Sequence, residues 1–131
     1  LPLCASEGVG VTPWSPLARG KLARPWTEDA PTERAKTDQF ARVVFSKATS
    51  EIDKVVVDRT HDVARERGLP AAQMAMAWLL SKPAVTSPIV GATKPHHLDD
   101  ALAALSVKLS DDEVKRLEEV YLPRAATAAY S

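Results

Sequence analysis

The chain has 131 residues, 45% of them hydrophobic, which is enough for one packed domain. Its 17 basic and 17 acidic residues cancel and form no long basic block, so the sequence argues against a nucleic-acid-binding surface, which needs clustered cations. The single cysteine, Cys4, excludes an internal disulfide and favours a reducing, cytoplasmic location, and no apolar run approaches the roughly 20 residues that span a bilayer.

The first predicted elements are the end of a helix and a short strand. Residues 1–7 are expected to be helical and to end at Gly8, because glycine accepts the left-handed conformation. Residues 8–12, GVGVT, predict a buried strand that ends at Pro13. In the following PWSPLARGKL the prolines keep the backbone extended, so we expect Ser15 at the carboxyl end of the strand, where α/β proteins bind ligands. A surface turn with a packed tryptophan is the alternative.

Residues 22–38 predict a long loop, since they contain two prolines and show no apolar periodicity. Loops of this length in compact domains are usually lids or binding loops unless they are disordered. Arg24 and Arg34 lie in this loop. They either close on an anion or are simply solvated.

Two helices are predicted next. Residues 49–67 predict a helix that Thr49 or Ser50 caps and Gly68 ends. Its apolar positions repeat at helical spacing and indicate one buried face, formed by Ile52, Val55, Val56, Val63 and Ala64. Residues 70–81 predict a second helix, apolar over much of its circumference and therefore well buried.

A second strand, a turn and a helix follow. Residues 85–90, VTSPIV, predict the strand, and Gly91 opens the turn. The leucines that follow fall on one face of a helix: Leu98, Leu102 and Leu105. The free amides at the start of such a helix form a binding site for a phosphate, and Lys94, His96 and His97 lie beside it. The alternative is an ordinary connection with solvated polar residues.

The last predicted helix begins at Ser110, which forms a capping box with Glu113. Its buried stripe is expected to comprise Val114, Leu117, Val120 and Tyr121. The order of strands and helices along the chain indicates βα units and a parallel arrangement. Because two strands cannot form a closed sheet, their edges need other strands, and the chain is expected to be a piece of a longer protein.

PWSPLARGKL, together with AAQMAMAWLLSKPAVTSPIVGATKPHHLDDAL, resembles the aldo-keto reductases, NADP-dependent oxidoreductases built on a (β/α)8 barrel. The resemblance is strongest to the branch with bacterial reductases and potassium-channel β-subunits, and it covers about residues 8–117. It implies an α/β fold in which residues 1–131 are the C-terminal fragment of one TIM barrel domain, with strands 7 and 8, their helices and a final extra helix. A complete barrel takes ~250 residues, so we expect this chain to be incomplete as a barrel.

The resemblance also implies a binding site for NADP, with NAD as the alternative cofactor. Trp14 matches the aromatic position that stacks on the nicotinamide ring. The positions that match the stretch lining the nicotinamide and pyrophosphate are Ser15, Leu17, Ala18 and Arg19. Arg24 and Arg34 match basic residues of the loop that closes over the cofactor. The positions that match the adenosine end, including the 2′-phosphate and the adenine amine, are Gly91, Thr93, Lys94, His97 and Asp100.

Two residues depart from the family pattern. His97 stands where members usually have arginine or glutamine, and Ala101 where they usually have asparagine. A neutral imidazole is a weaker phosphate partner than a bidentate guanidinium. A preference for NADP over NAD would therefore rest on Lys94 and the loop arginines.

The catalytic tetrad of the family, an Asp, a Tyr acid, a Lys and a His, lies on earlier strands, and neither Tyr121 nor Tyr130 matches the acid. We therefore assign no catalytic residue and no metal ligand, and expect the fragment alone to be inactive, because carbonyl reduction needs a placed proton donor. The expected partners are a small-molecule carbonyl substrate and either the N-terminal half of the barrel or another copy. A non-catalytic nucleotide-binding or regulatory subunit, and a helical interaction module, are the alternative functions.

Overall fold

The computed structural model describes residues 1–26 and 50–123. Its helices confirm the predicted order. They are α1 (Pro2–Ser6), α2 (Ser50–Glu66), α3 (Ala71–Leu80), α4 (Pro95–Ala103), which continues into a 3-10 turn at Ala104–Ser106, and α5 (Asp111–Glu118). Gly8 and Gly68 follow α1 and α2 with φ angles of 66° and 63°, as predicted for helix ends. Arg34, Thr49, most of the predicted loop and the tail from residue 124 lie outside the described residues.

The two predicted strands pair in parallel, as expected, but only through isolated bridges within the described part of the chain. Val11 pairs with Val85, and Trp14 pairs with Ile89. The Val11 amide donates to the Ala84 carbonyl at 2.8 Å. The prediction of two continuous strands is therefore wrong for these residues.

The interruption of the ladder has a local cause. Between the two bridges the first segment advances three residues and the second advances four, so the second segment bulges. The Val11 carbonyl accepts from both Thr86, at 2.9 Å, and Ser87, at 3.5 Å. Pro13 and Pro88 bring no amide hydrogen to the ladder. The segments also approach closely, since a Cβ on Gly10 would collide with Thr86 Oγ1.

The core lies between α2, α3 and α5. Its central cluster is made of buried residues from these helices: Val63, Ala64, Ala71, Met74 and Leu117. Met74 is 0% exposed, which confirms that α3 is well buried. On α2 the predicted face is only partly right, because Val55 is 50% exposed whereas Val57 and Thr60 are buried. Thr60 is accommodated because its hydroxyl donates to the Val56 carbonyl at 2.8 Å.

Helix α5 begins with a capping box and is linked to its neighbours by ion pairs. The predicted capping box is present, with the Ser110 amide donating to Glu113 Oε2 at 2.8 Å and the Glu113 amide donating to Ser110 Oγ at 3.3 Å. Arg116 donates through two nitrogens to Glu66 of α2, both at 2.7 Å, and thereby lowers the pKa of that carboxyl. Lys82 pairs with Glu118 and lowers its pKa in the same way.

The predicted periodicity of α4 is confirmed, but its apolar face is exposed. Leu98, Leu102 and Leu105 are 52%, 56% and 59% exposed. Tyr121, predicted in the stripe of the last helix, is also mostly exposed and lies beyond the end of α5, so that part of the prediction is wrong. Among the helices of residues 1–26 and 50–123, none has the length and apolar character needed to traverse a membrane.

Candidate functional site

Two turns leave the paired segments at the same edge. The first begins at Ser15, directly after Trp14, and the second begins near Gly91, two residues after Ile89. Because Trp14 and Ile89 pair in parallel, the carboxyl ends of both segments point the same way. In α/β proteins this is the edge at which ligands bind.

The first turn contains an unusual run of backbone conformations. Ser15, Ala18 and Arg19 have φ angles of 51°, 48° and 57°, although none of them is glycine. Hydrogen bonds hold the turn, from the Ala18 amide to the Ser15 carbonyl and from the Gly20 amide to the Leu17 carbonyl, each 2.9 Å. Non-glycine residues in this region cluster at ligand-binding and active sites, where the surrounding structure holds them.

The same turn brings an aromatic ring and cationic groups together. The Arg19 guanidinium lies 5.5 Å from the centroid of the Trp14 ring, within the range of a cation–π contact. Trp14 nevertheless remains 52% exposed. Arg24 Nε donates to the Gly20 carbonyl at 3.2 Å, which closes the turn on itself. Lys21 Nζ lies 4.6 Å from the centroid of a different ring, that of Trp26.

The second turn ends at the start of α4. Lys94 is the residue before the first helical turn and has extended dihedral angles, and no side chain caps the helix there. His97 reaches back one turn, so that its Nδ1 accepts from the Thr93 amide at 3.3 Å and lies 3.4 Å from Thr93 Oγ1. The edge of the neighbouring His96 ring packs on the His97 ring, with centroids 4.5 Å apart.

A residue that the sequence did not single out connects this turn to the core. Gln73 of α3 donates through Nε2 to Asp100 Oδ1 at 2.8 Å, and the contact is partly buried. This hydrogen bond links α4 to α3. The signal in the sequence is the single amide in the otherwise apolar run AAQMAMAWLL.

The structure thus brings the predicted residues into two groups. The first group lies in the first turn or directly before it: Trp14, Ser15, Leu17, Arg19 and Arg24. The second group lies in the second turn and on α4: Gly91, Thr93, Lys94, His97 and Asp100. Within each group the contacts above are specific, and the parallel pairing places both groups at one edge.

Comparison with known proteins identifies the family. The sequence profile of the Aldo/keto reductase family matches residues 1–122. The chain belongs to this family. A versiconal hemiacetal acetate reductase of Aspergillus parasiticus is 42% identical over 125 residues, which are 95% of this chain and 36% of that protein. An aldo-keto reductase of Alternaria alternata is 41% identical over 118 residues, 90% of this chain and 30% of that protein.

The fold agrees with the family. The structure of a glycerol dehydrogenase from Gluconobacter oxydans superposes with a TM-score of 0.74 at 24% sequence identity, covering 92% of this chain and 36% of that one. The chain therefore has the fold of part of an aldo-keto reductase, a family of (β/α)8 barrels. It spans about a third of the length of the relatives it matches.

Proposed function

We propose that residues 1–131 form the cofactor-binding, carboxy-terminal part of an NADP(H)-dependent aldo-keto reductase barrel. In this proposal the paired segments are strands 7 and 8, and earlier strands of the barrel supply the catalytic tetrad. The reaction is hydride transfer between NADPH and a small aldehyde or ketone. The observation that carries the proposal is the placement of both turns at the carboxyl edge of two parallel segments.

The chemistry of the two turns fits the two ends of a dinucleotide. The first turn presents a half-exposed indole with a guanidinium beside it, which suits an aromatic ring followed by a pyrophosphate. The second turn presents the amides at the start of α4 together with Lys94 and Thr93, which suits an anion such as the 2′-phosphate. The second group of residues, at the second turn and on α4, is polar apart from Gly91, as a binding site for an anion requires.

Each group has a distinct task in this proposal. Trp14 orients the nicotinamide, while Ser15, Leu17 and Arg19 line the path towards the pyrophosphate. Thr93, Lys94 and His97 hold the 2′-phosphate, and Asp100, fixed by Gln73, faces the adenine amine with its remaining oxygen. Arg24 and Arg34 add positive charge at the loop. When bound, the dinucleotide supplies the hydride, and the chain's own residues hold and orient it.

Calorimetric titration with NADPH, NADP⁺ and NADH tests the proposal on the longest polypeptide that contains this chain. We expect NADPH to bind, and Lys94→Gln to weaken NADPH binding by about tenfold or more, since a charge-assisted hydrogen bond contributes about 1.5–3 kcal/mol. Lys108→Gln removes the same charge from an exposed position outside both turns and serves as the matched control. The absence of NADPH binding would contradict the proposal.

Turnover separates the enzyme from the alternative of a regulatory subunit. If the same polypeptide consumes NADPH in the presence of a reactive aldehyde, it is a reductase. Binding of NADPH without consumption, over a panel of aldehydes and ketones, would instead favour a non-catalytic nucleotide-binding subunit.

A further inference from the structure

The contact between Arg19 and Trp14 places a positive charge against the indole ring that, in the proposed function, stacks on the nicotinamide. The guanidinium lies 5.5 Å from the indole centroid, while 52% of the Trp14 surface remains accessible. Arg19 is half-buried and held in a left-handed backbone conformation, with φ 57° and ψ 32°. Its position beside the ring is therefore set by the backbone of the turn as well as by the side chain.

The two redox forms of a nicotinamide dinucleotide differ in the charge of that ring. The oxidised ring is a cation and the reduced ring is neutral. A cation that packs on an indole is attracted by the negative face of the ring, but a guanidinium already on the indole competes for that attraction. The guanidinium also repels a second positive charge nearby, and a surface turn screens this repulsion only in part. Both effects act against the oxidised form and leave the reduced form unaffected.

We propose that Arg19, through its contact with Trp14, makes the site select the reduced dinucleotide over the oxidised one. This inference rests on the proposed function, since it takes Trp14 as the ring that meets the nicotinamide. It differs from a pyrophosphate contact, because both redox forms carry the same pyrophosphate and would be affected equally. Selection of the reduced form favours binding of NADPH and release of NADP⁺, the direction of carbonyl reduction.

The test is the ratio of the dissociation constants of NADP⁺ and NADPH, measured by calorimetry on the longest polypeptide that contains this chain. Arg19→Gln removes the positive charge, and glutamine, like arginine, has an unbranched side chain. The left-handed backbone conformation at this position therefore has a similar cost in both proteins. We expect the ratio to fall about threefold, which is the effect of one partly screened charge within about 10 Å. Arg19→Met, a second uncharged variant, should give the same fall, and Arg19→Lys should keep most of the original ratio.

Lys21→Gln is the matched control. It removes one positive charge from the same turn, but from a side chain that lies over Trp26. We expect the ratio to fall clearly less than in Arg19→Gln, because it is the Arg19 guanidinium that lies over the Trp14 ring. If Lys21→Gln lowers the ratio as much as Arg19→Gln does, the total charge of the turn is responsible and the inference is wrong.

Three other outcomes of the titrations would contradict the inference. Equal weakening of NADP⁺ and NADPH by Arg19→Gln would show that Arg19 acts on the pyrophosphate alone, which overturns the inference and leaves the proposed function intact. An unchanged ratio with unchanged affinities overturns it as well. If the unmodified protein binds neither form, the proposed function itself fails, and this inference fails with it.

Discussion

Replacing His97 with arginine tests the proposed binding position of the 2′-phosphate, the group that distinguishes NADP from NAD. In the structure His97 Nδ1 accepts from the Thr93 amide at 3.3 Å, so the imidazole holds the turn through an acceptor. Arginine has five donors and no acceptor, and the Thr93 amide would lose this partner. Thr93 is exposed and its amide can turn to water, which keeps the loss to about 0.5–1 kcal/mol.

The gain from the guanidinium is larger for a ligand with a 2′-phosphate. A charge-assisted hydrogen bond contributes about 1.5–3 kcal/mol, so the net gain is about 1–2 kcal/mol, close to tenfold in affinity. NAD and NADH lack the phosphate and should bind as before or slightly more weakly. Calorimetric titration of His97→Arg with NADPH and NADH measures both changes directly.

His96→Arg is the control, because it places the same charge one residue away at a side chain that touches the His97 ring but does not accept from Thr93. It should change the NADPH affinity less than His97→Arg does. Equal changes of the NADPH and NADH dissociation constants in His97→Arg would refute the assignment of this position to the 2′-phosphate.

Three further predictions concern the helices that support the site. Met74→Ala should lower the free energy of unfolding by about 3 kcal/mol, because the side chain is 0% exposed and its removal leaves a cavity; urea denaturation measures the loss. Ser110→Ala should cost about 1 kcal/mol in the same assay, since it removes the side-chain acceptor of the Glu113 amide. The Ser110 amide and the Arg67 side chain lower the pKa of Glu113 in the folded state. The stability that Glu113 contributes is therefore present above its unfolded pKa of about 4.3 and lost as pH falls through its folded pKa, so Glu113→Gln should flatten the pH dependence of unfolding below pH ~5.

Each of these predictions has a clear contrary result. A midpoint of Met74→Ala within error of the unmodified protein would mean that α3 is not packed in the core. Ser106→Ala, at an exposed serine outside the cap, is the control for Ser110→Ala. If both lower the free energy of unfolding by the same small amount, the cap does not stabilise α5. An identical acid dependence with and without Glu113 would place the titrating groups elsewhere.

The helices and their ends were predictable because their signals are local. The run AAQMAMAWLL is apolar on nearly every side, and α3 is buried accordingly. Ser110 and Glu113 are three residues apart, and the capping box forms between them as the spacing requires. Gly68 follows the end of α2 with φ 63°, a left-handed conformation that costs glycine little.

The rest depends on elements far apart in sequence. The apolar residues of 8–12 and 85–90 predicted two strands. Whether the hydrogen-bond ladder between them is continuous depends on where Pro13 and Pro88 lie in the pairing. Nor does a hydrophobic pattern disclose that Gln73 meets Asp100, or that Arg19 turns back onto Trp14. The candidate ligand-binding positions were assigned by family resemblance, whereas the side chains that contact them became visible only in three dimensions.

The exposed leucines of α4 have a consequence for handling the protein. Leu98, Leu102 and Leu105 expose apolar side chains on α4 and the 3-10 turn that follows it, and Ile89 of the second paired segment is itself 57% exposed. Such a combination is prone to aggregation when nothing covers it. Expression of residues 1–131 by themselves should therefore direct much of the product into inclusion bodies, and Leu102→Ser should raise the soluble yield without changing either of the two turns.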